Sequence, residues 1–330
     1  MDIPEELIQA KAQVEFGLLA LPGVVGIGLG AREENGEFSD ELAVRILVED
    51  ASRVPDGLPS EIAGVAVCII ERVYEPVAFP DVDRYPELRG GIRIESQARG
   101  FGTMGALVMD TATGEILGLS NFHVTGPVGT QIWQSKTPNL IASVPPILDD
   151  LVGDVLRVDF PDTPPLPLSP IRVSTTDSGV FRTNGAAAQG RGVSRAISGQ
   201  GLGFPDLIPA VTATAEPAIF QTVRKRGFMT GPTNGSILGA QVVGKWMTIN
   251  WSPGGGNTYL VEQVEIFGNG GVFVDGGDSG SLVLDGVGST ALGLLYGASR
   301  GGAFAPAGHF GMMSLIANVE ARLGVSTVWA

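Results

Sequence analysis

The sequence predicts a mainly β protein, built as two six-stranded β-barrels packed together behind a small α+β domain. Three observations carry that expectation. From about residue 95 onward, short apolar segments alternate with turn signals. Glycine occurs 48 times and proline 22 times in 330 residues without a collagen period, which punctuates the chain into many strands and turns. The remaining length, about 235 residues, is too long for one ordinary sandwich and suits a pair of barrels. With 44% hydrophobic residues, 17% charged and a mean hydropathy of +0.23, disorder is excluded.

Taken in order, Asp2 followed by Glu5, with Pro4 in the first turn, predicts a helix start of the capping-box kind. Leu7, Ala10, Val14, Leu18 and Leu21 then form one apolar stripe that Pro22-Gly23 ends. Strands are expected over 24–31 and 42–50, joined by a hairpin at Asn35-Gly36, with a third over 64–74. These make up a domain over residues 1–80. Gly26, Gly28 and Gly30 lack the G-x-G-x-x-G spacing of a dinucleotide loop, so they are read as clearing one strand face for close packing against the N-terminal helix. Cys68, the sole cysteine, sits among apolar residues and is read as a buried strand residue.

Pro76, Pro80, Pro86 and Gly90-Gly91 mark an irregular connection, with the linker placed at 81–94 and the double barrel at 95–330. Strands are expected over 103–109, 115–119, 155–160, 236–244 and 259–267, an extended loop over 161–170, and a closing helix over 314–323 that Gly324 terminates.

A net charge of −14 argues against nucleic acid and anionic membrane as partners. Arg224-Lys225-Arg226 reads as a solvated strand end without function. The charge-free run 16–31 is short and broken by Pro22-Gly23, so no membrane helix is expected. The acidic start, Met1-Asp2-Ile3-Pro4-Glu5-Glu6, lacks the basic region of a secretory signal, so a cytoplasmic location is expected.

Only two histidines, His123 and His309, are available for any imidazole-dependent chemistry. With one cysteine they cannot supply the usual zinc spacing, and neither a metal nor a cofactor is expected. His123 ends a strand-like segment in small and polar residues, where an imidazole can emerge at a barrel edge. Gly276-Gly277-Asp278-Ser279-Gly280-Ser281 is a tight glycine turn before an apolar strand. Such a turn presents Ser279 outward and aims successive N–H groups at one spot that can hold an oxyanion.

Leu119-Ser120-Asn121-Phe122-His123-Val124 and Gly277-Asp278-Ser279-Gly280-Ser281-Leu282 resemble the histidine and serine motifs of trypsin-like serine peptidases, which have the chymotrypsin fold. The resemblance covers residues 95–330. Val223 to Gly231 is similar to a stretch inside the second barrel of bacterial members, and 291–299 to their substrate-flanking strand. Leu21-Pro22-Gly23-Val24-Val25-Gly26-Ile27-Gly28 resembles the start of bacterial members with a small leading domain.

The family's order of His, Asp, Ser places the missing acid between 123 and 279, and Asp177 fits best by its following Ser178-Gly179-Val180; Asp149, Asp150, Asp154 and Asp159 are the rivals. The resemblance therefore implies a triad of His123, Asp177 and Ser279, with the N–H groups of Gly277 and Ser279 as the oxyanion hole. It implies a primary pocket with Phe273 at its base and Tyr296, Gly297 and Ala298 along its wall, suited to uncharged residues. The partner so implied is a protein or peptide substrate. Disulfides are impossible here, and no basic residue precedes an Ile-Val-Gly-Gly-like activation start.

Two other readings exist. A serine esterase of the α/β-hydrolase type could use Ser279, Asp285 and His309, but the residue at 281 is Ser rather than the Gly of its nucleophile elbow. A catalytically silent barrel could serve as a binding module.

Overall fold

The computed structural model describes residues 2–72, 74–75, 84–96, 100–134, 150–160, 171–198, 207–233, 240–251, 258–268, 271–299 and 308–329. The loop expected over 161–170 lies outside them. Strands dominate, as the turn-rich sequence predicts.

The second barrel closes on itself. Strand Thr258–Gly268 pairs with Phe310–Leu315, which leads through Thr290–Ser299, Leu282–Asp285 and Thr222–Gly227 to Ala240–Asn250. Ala240–Asn250 then pairs back along Thr258–Gly268, completing six strands. Its interior holds Val242, Val264, Ile266, Val283, Leu295 and Met313.

The first barrel is an eight-stranded sheet running from Val325–Ser326 to Gly100–Met104 among the described residues, filled by Ile92, Ile94, Leu107, Ile132, Val152 and Phe181. A third cluster joins Leu117, Leu119 and Val180 of this sheet to Leu282, Leu294 and the C-terminal helix Ile316–Leu323, so the barrels share one apolar seam. Gly324, at φ +63°, ends that helix as expected.

The expected strand over 103–109 is two strands, Gly100–Met104 and Ala106–Asp110. The break is at Gly105, where any Cβ would sit 2.2 Å from the Gly280 carbonyl of the other barrel. The stretch read as an irregular connection also carries Glu87–Gly90 and Ile92–Ser96, turned at Gly91 with φ +80°. Its prolines and glycines mark turn positions between short strands.

At the N-terminus, helix Glu5–Leu19 and strands Val24–Glu34, Glu37–Val48 and Val65–Glu71 form as the pattern predicts, with Asn35 and Gly36 both at positive φ in the hairpin turn. Cys68 is buried. Pro4 occupies the N-cap with no capping side chain, so the expected capping box is absent.

Two departures bear on the rest of the molecule. Ile27 and Leu29 face the helix, packing with Leu7 and Leu18. The glycine face turns toward the second barrel instead: Cβ atoms at Gly26 and Gly28 would strike Ile249 and Met247. Strand Val24–Glu34 pairs edge to edge with Ala240–Asn250, so the leading sheet continues into the barrel.

Buried charge ties the same junction. Arg45 meets Glu33 at 3.0 Å and Glu265 at 2.5 Å, and Arg72 meets the same two acids at 2.8 and 2.6 Å. Lys11 and Glu15 of the helix pair with each other, and both bond the Thr248 hydroxyl. No helix among the described residues is long and apolar enough to cross a membrane.

Candidate active site

His123 sits on the short helix Phe122–Thr125, immediately after strand Ile116–Ser120. That strand pairs antiparallel with Ser178–Arg182, Ser120 opposite Gly179, so the residues just beyond the pair meet at the barrel edge. Asn121 there donates from Nδ2 to the Asp177 carbonyl at 2.7 Å. The register thus carries Asp177 to His123.

His123 Nδ1 lies 2.6 Å from Asp177 Oδ2, and the His123 backbone N–H donates to Oδ1 at 3.0 Å. From the second barrel, Trp251 Nε1 donates to Oδ2 at 2.7 Å. Burial pushes the Asp177 carboxyl up, but the imidazole and these donors outweigh it and hold the group below its ordinary value. The bond to Asp177 fixes His123 Nδ1 as the protonated nitrogen of the neutral ring. Nε2, buried and without a hydrogen-bond partner among the described residues, is left as the acceptor.

Ser279 lies on a turn pinned from both barrels. Thr103, in the first, donates its N–H to the Ser279 carbonyl at 2.8 Å and its hydroxyl to the Gly277 carbonyl at 2.7 Å. In the second, the Gly280 N–H reaches the Leu295 carbonyl at 2.8 Å, and Ser279 Oγ donates to the Tyr296 carbonyl at 3.0 Å.

Gly277 and Gly280 have φ of +93° and +95°, and a Cβ would lie 2.5 Å from the Phe228 ring at the first and 2.1 Å from the Thr103 carbonyl at the second. Both positions exclude a side chain on conformation and on space. The N–H groups of Gly277 and Ser279 donate to nothing among the described residues.

The two halves converge. A Cβ at Gly102 would touch Val124, next to His123, at 2.5 Å and the Ser279 carbonyl at 3.0 Å. The Trp251 ring stands edge-on to both His123 and Tyr296, with centroids 5.7 and 4.9 Å apart. Burial, with the Asp177 charge nearby, pushes the Tyr296 hydroxyl well above its ordinary value. That hydroxyl has no hydrogen-bond partner among the described residues.

Asp278, beside the serine, is sealed from water and paired with Lys225 at 2.6 Å. This corrects the expectation that Arg224-Lys225-Arg226 is a solvated strand end, since Lys225 and Arg226 both point inside. A buried carboxylate requires such a partner, and an isolated basic triplet gives no sign of it.

Of the expected pocket residues, Phe273 lies in the core of the second barrel at 2% exposure, its ring 5.3 Å from Lys225 Nζ. Tyr296 and Ala298 are buried, and a Cβ at Gly297 would lie 3.3 Å from the Trp251 ring. The rival acids have other partners: Asp150 pairs with Arg84, Asp154 with Arg182 and Asp159 with Arg322. Asp149 is outside the described residues. Asp285 accepts from Gly288 and Thr290 within its own turn, and the His309 carbonyl accepts from Gly268.

Sequence reasoning missed Trp251 and Lys225. Each arrives from a distant strand, and neither stands in a local motif. No metal-binding group of three or more His, Cys, Asp or Glu occurs among the described residues.

Comparison with solved structures shows the chymotrypsin fold. A glutamic acid-specific serine protease, described as using a histidine triad in substrate binding, superposes with a TM-score of 0.51 at 19% identity, over 73% of this chain and all of its own. Protease A of Thermobifida fusca matches at 0.49 and 18% identity over 74% of this chain and 100% of its own, and Nocardiopsis protease at 0.49 and 16% over 73% and 98%. No family model and no curated protein matches the chain.

Proposed function

We propose that the chain is a serine endopeptidase acting through His123, Asp177 and Ser279. A serine hydroxyl is a weak nucleophile at neutral pH and needs a base. Ser279 Oγ, which rests on the Tyr296 carbonyl, turns from it toward His123 Nε2, which takes its proton as Oγ attacks the carbonyl carbon of a peptide bond. Asp177 holds the ring in the required tautomer and stabilises the imidazolium that forms. The carbonyl oxygen becomes an oxyanion that accepts from the Gly277 and Ser279 N–H groups, each worth about 3 to 4 kcal/mol in comparable sites.

Collapse of this intermediate breaks the C–N bond, with the imidazolium proton passing to the leaving amine. Water, deprotonated by His123, then hydrolyses the acyl-serine and restores the hydroxyl. For specificity, no acid stands at position 273, and the edge at Tyr296, Gly297 and Ala298 carries no charged side chain, which favours uncharged residues.

One observation carries the reading: a buried carboxylate orients an imidazole whose other nitrogen has no partner among the described residues, and Val124, next to that imidazole, meets across Gly102 the turn of Ser279, whose Gly277 and Ser279 N–H groups donate to nothing among the described residues. Reaction with a fluorophosphonate followed by peptide mapping is expected to place the label on Ser279. Ser279→Ala and His123→Ala are each expected to lower casein or peptide turnover by at least about a thousandfold while remaining folded. Retention of most turnover by either folded variant would sink the assignment.

A further inference from the structure

The following rests on the peptidase reading and concerns how its cleft is reached. Strand Thr290–Ser299 has two edges. One is filled by Phe310–Leu315, with Leu295 opposite Met313, Gly297 opposite Met312 and Ala298 opposite Gly311. The other passes the nucleophile: Leu282–Asp285 covers it as far as Leu294, Ser281 and Gly280 bond Leu295, and Ser279 Oγ reaches the Tyr296 carbonyl. Past Tyr296, an extended peptide could add to this second edge as a new strand, main chain to main chain.

That place is taken. Tyr74–Glu75 pairs antiparallel with the strand, Glu75 opposite Ala298 and Tyr74 opposite Ser299. Because Gly311 already fills the other side of Ala298, Tyr74–Glu75 must lie on the edge that Ser279 faces. The register also sets a direction. From Tyr74 to Glu75 the chain steps from Ser299 to Ala298, toward the Tyr296 carbonyl that the nucleophile touches.

We propose that Tyr74–Glu75 is a built-in competitor for the substrate edge, so that a peptide with several residues on the acyl side must displace this strand before it can lie along Gly297, Ala298 and Ser299. Its placement is enforced from upstream. Arg72 is buried, its N–H bonds the Val48 carbonyl at 2.9 Å, and its guanidinium is held by Glu33 and Glu265. The strand is therefore delivered from a fixed point, while its own pairing is only two residues long, too short to be stable alone. A short acyl group, ending before Ala298, does not meet it.

The test is the ratio of kcat/KM for a substrate with four acyl-side residues to that for one with a single residue and the same leaving group. The unmodified chain is expected to show a ratio near one, within about threefold. In Tyr74→Pro/Glu75→Pro, which removes both N–H donors of the strand, the ratio is expected to rise at least tenfold, with the short substrate unchanged. A tenfold preference for the long substrate already present in the unmodified chain overturns the inference, and so does a folded double variant whose ratio does not move. Should the variant fail to fold, the unmodified ratio decides alone. Either failure with Ser279 still labelled by fluorophosphonate leaves the peptidase reading standing; no label and no turnover of either substrate removes both.

Discussion

Lys225 Nζ stands 2.6 Å from Asp278 Oδ2, and neither side chain touches water. Asp278 Oδ1 also accepts from the Met229 and Thr230 N–H groups, and Oδ2 from the Thr230 hydroxyl and the Asp275 N–H. Burial pulls the Lys225 ammonium below its ordinary value while Asp278 opposes that pull. The turn that carries Ser279 is thus braced by an ammonium from inside the barrel. Lys225→Met leaves a buried carboxylate without its counter-charge and is expected to cost about 3 to 5 kcal/mol in urea unfolding. It is also expected to lower labelling of Ser279 at least tenfold. Adding Asp278→Asn is expected to recover part of the stability, and a double variant no better than the single would refute the pairwise account.

Trp251→Phe keeps the ring against His123 and Tyr296 but deletes the donor to Asp177. We expect kcat to fall roughly tenfold with KM within about twofold, the pattern of a group that positions rather than binds. A carboxylate held low gives stability that is present above its ordinary range, near pH 4, and lost as pH falls through the lowered value. Losing the indole lets Asp177 rise toward that range. The acid-unfolding midpoint, followed by circular dichroism, is therefore expected to move to higher pH, and a shift downward would contradict the role given to the indole.

Asp285→Asn and His309→Gln separate the two serine chemistries. Asp285 serves its own turn and His309 contributes a backbone carbonyl, so both variants are expected to hydrolyse peptides within about twofold of the parent. Loss of Ser279 labelling in a soluble His309→Gln protein would revive the esterase order of residues.

Glu265 receives Arg45 and Arg72 from the leading sheet inside the second barrel. Glu265→Leu takes from the buried Arg45 and Arg72 one of the two carboxylates they share, leaving Glu33 to face both guanidinium groups, and is expected to cost about 3 to 5 kcal/mol by chemical denaturation. By the same reasoning, residues 95–330 expressed alone are expected to be insoluble or to unfold well below the full chain. A soluble fragment with the parent's melting temperature would show the junction to be dispensable.

How much of this could be read in the chain depends on distance along it. The turn at Ser279 was legible because its glycines are demanded locally, by positive φ and by contact with Phe228 and Thr103. Asn35-Gly36 announced its hairpin for the same reason. Asp177 followed from family order and from the resemblance of the segment after it, and the strand register that delivers it to His123 has no local signal. Gly26, Gly28 and Gly30 revealed that something packs closely on them, but alternation cannot say which element does. Lys225 looked solvated because a charge triplet normally is, and Asp278 lies 53 residues away. Trp251 is 74 residues from Asp177 and gave no sign at all.

The junction between the leading sheet and the second barrel also fixes an order of events during synthesis. Lys11 and its partner Thr248 are 237 residues apart, and Arg45 and Glu265 are separated by 220. At about 5 to 20 residues per second, the first strands wait roughly 10 to 50 s for the strand that completes their sheet. During that interval an apolar glycine-lined face and two arginines destined for burial stay exposed. Contacts so remote along the chain also make loop closure costly and folding slow. The nascent protein is therefore expected to depend on chaperone protection until residue 265 has emerged, and to aggregate most readily when translation stalls before that point.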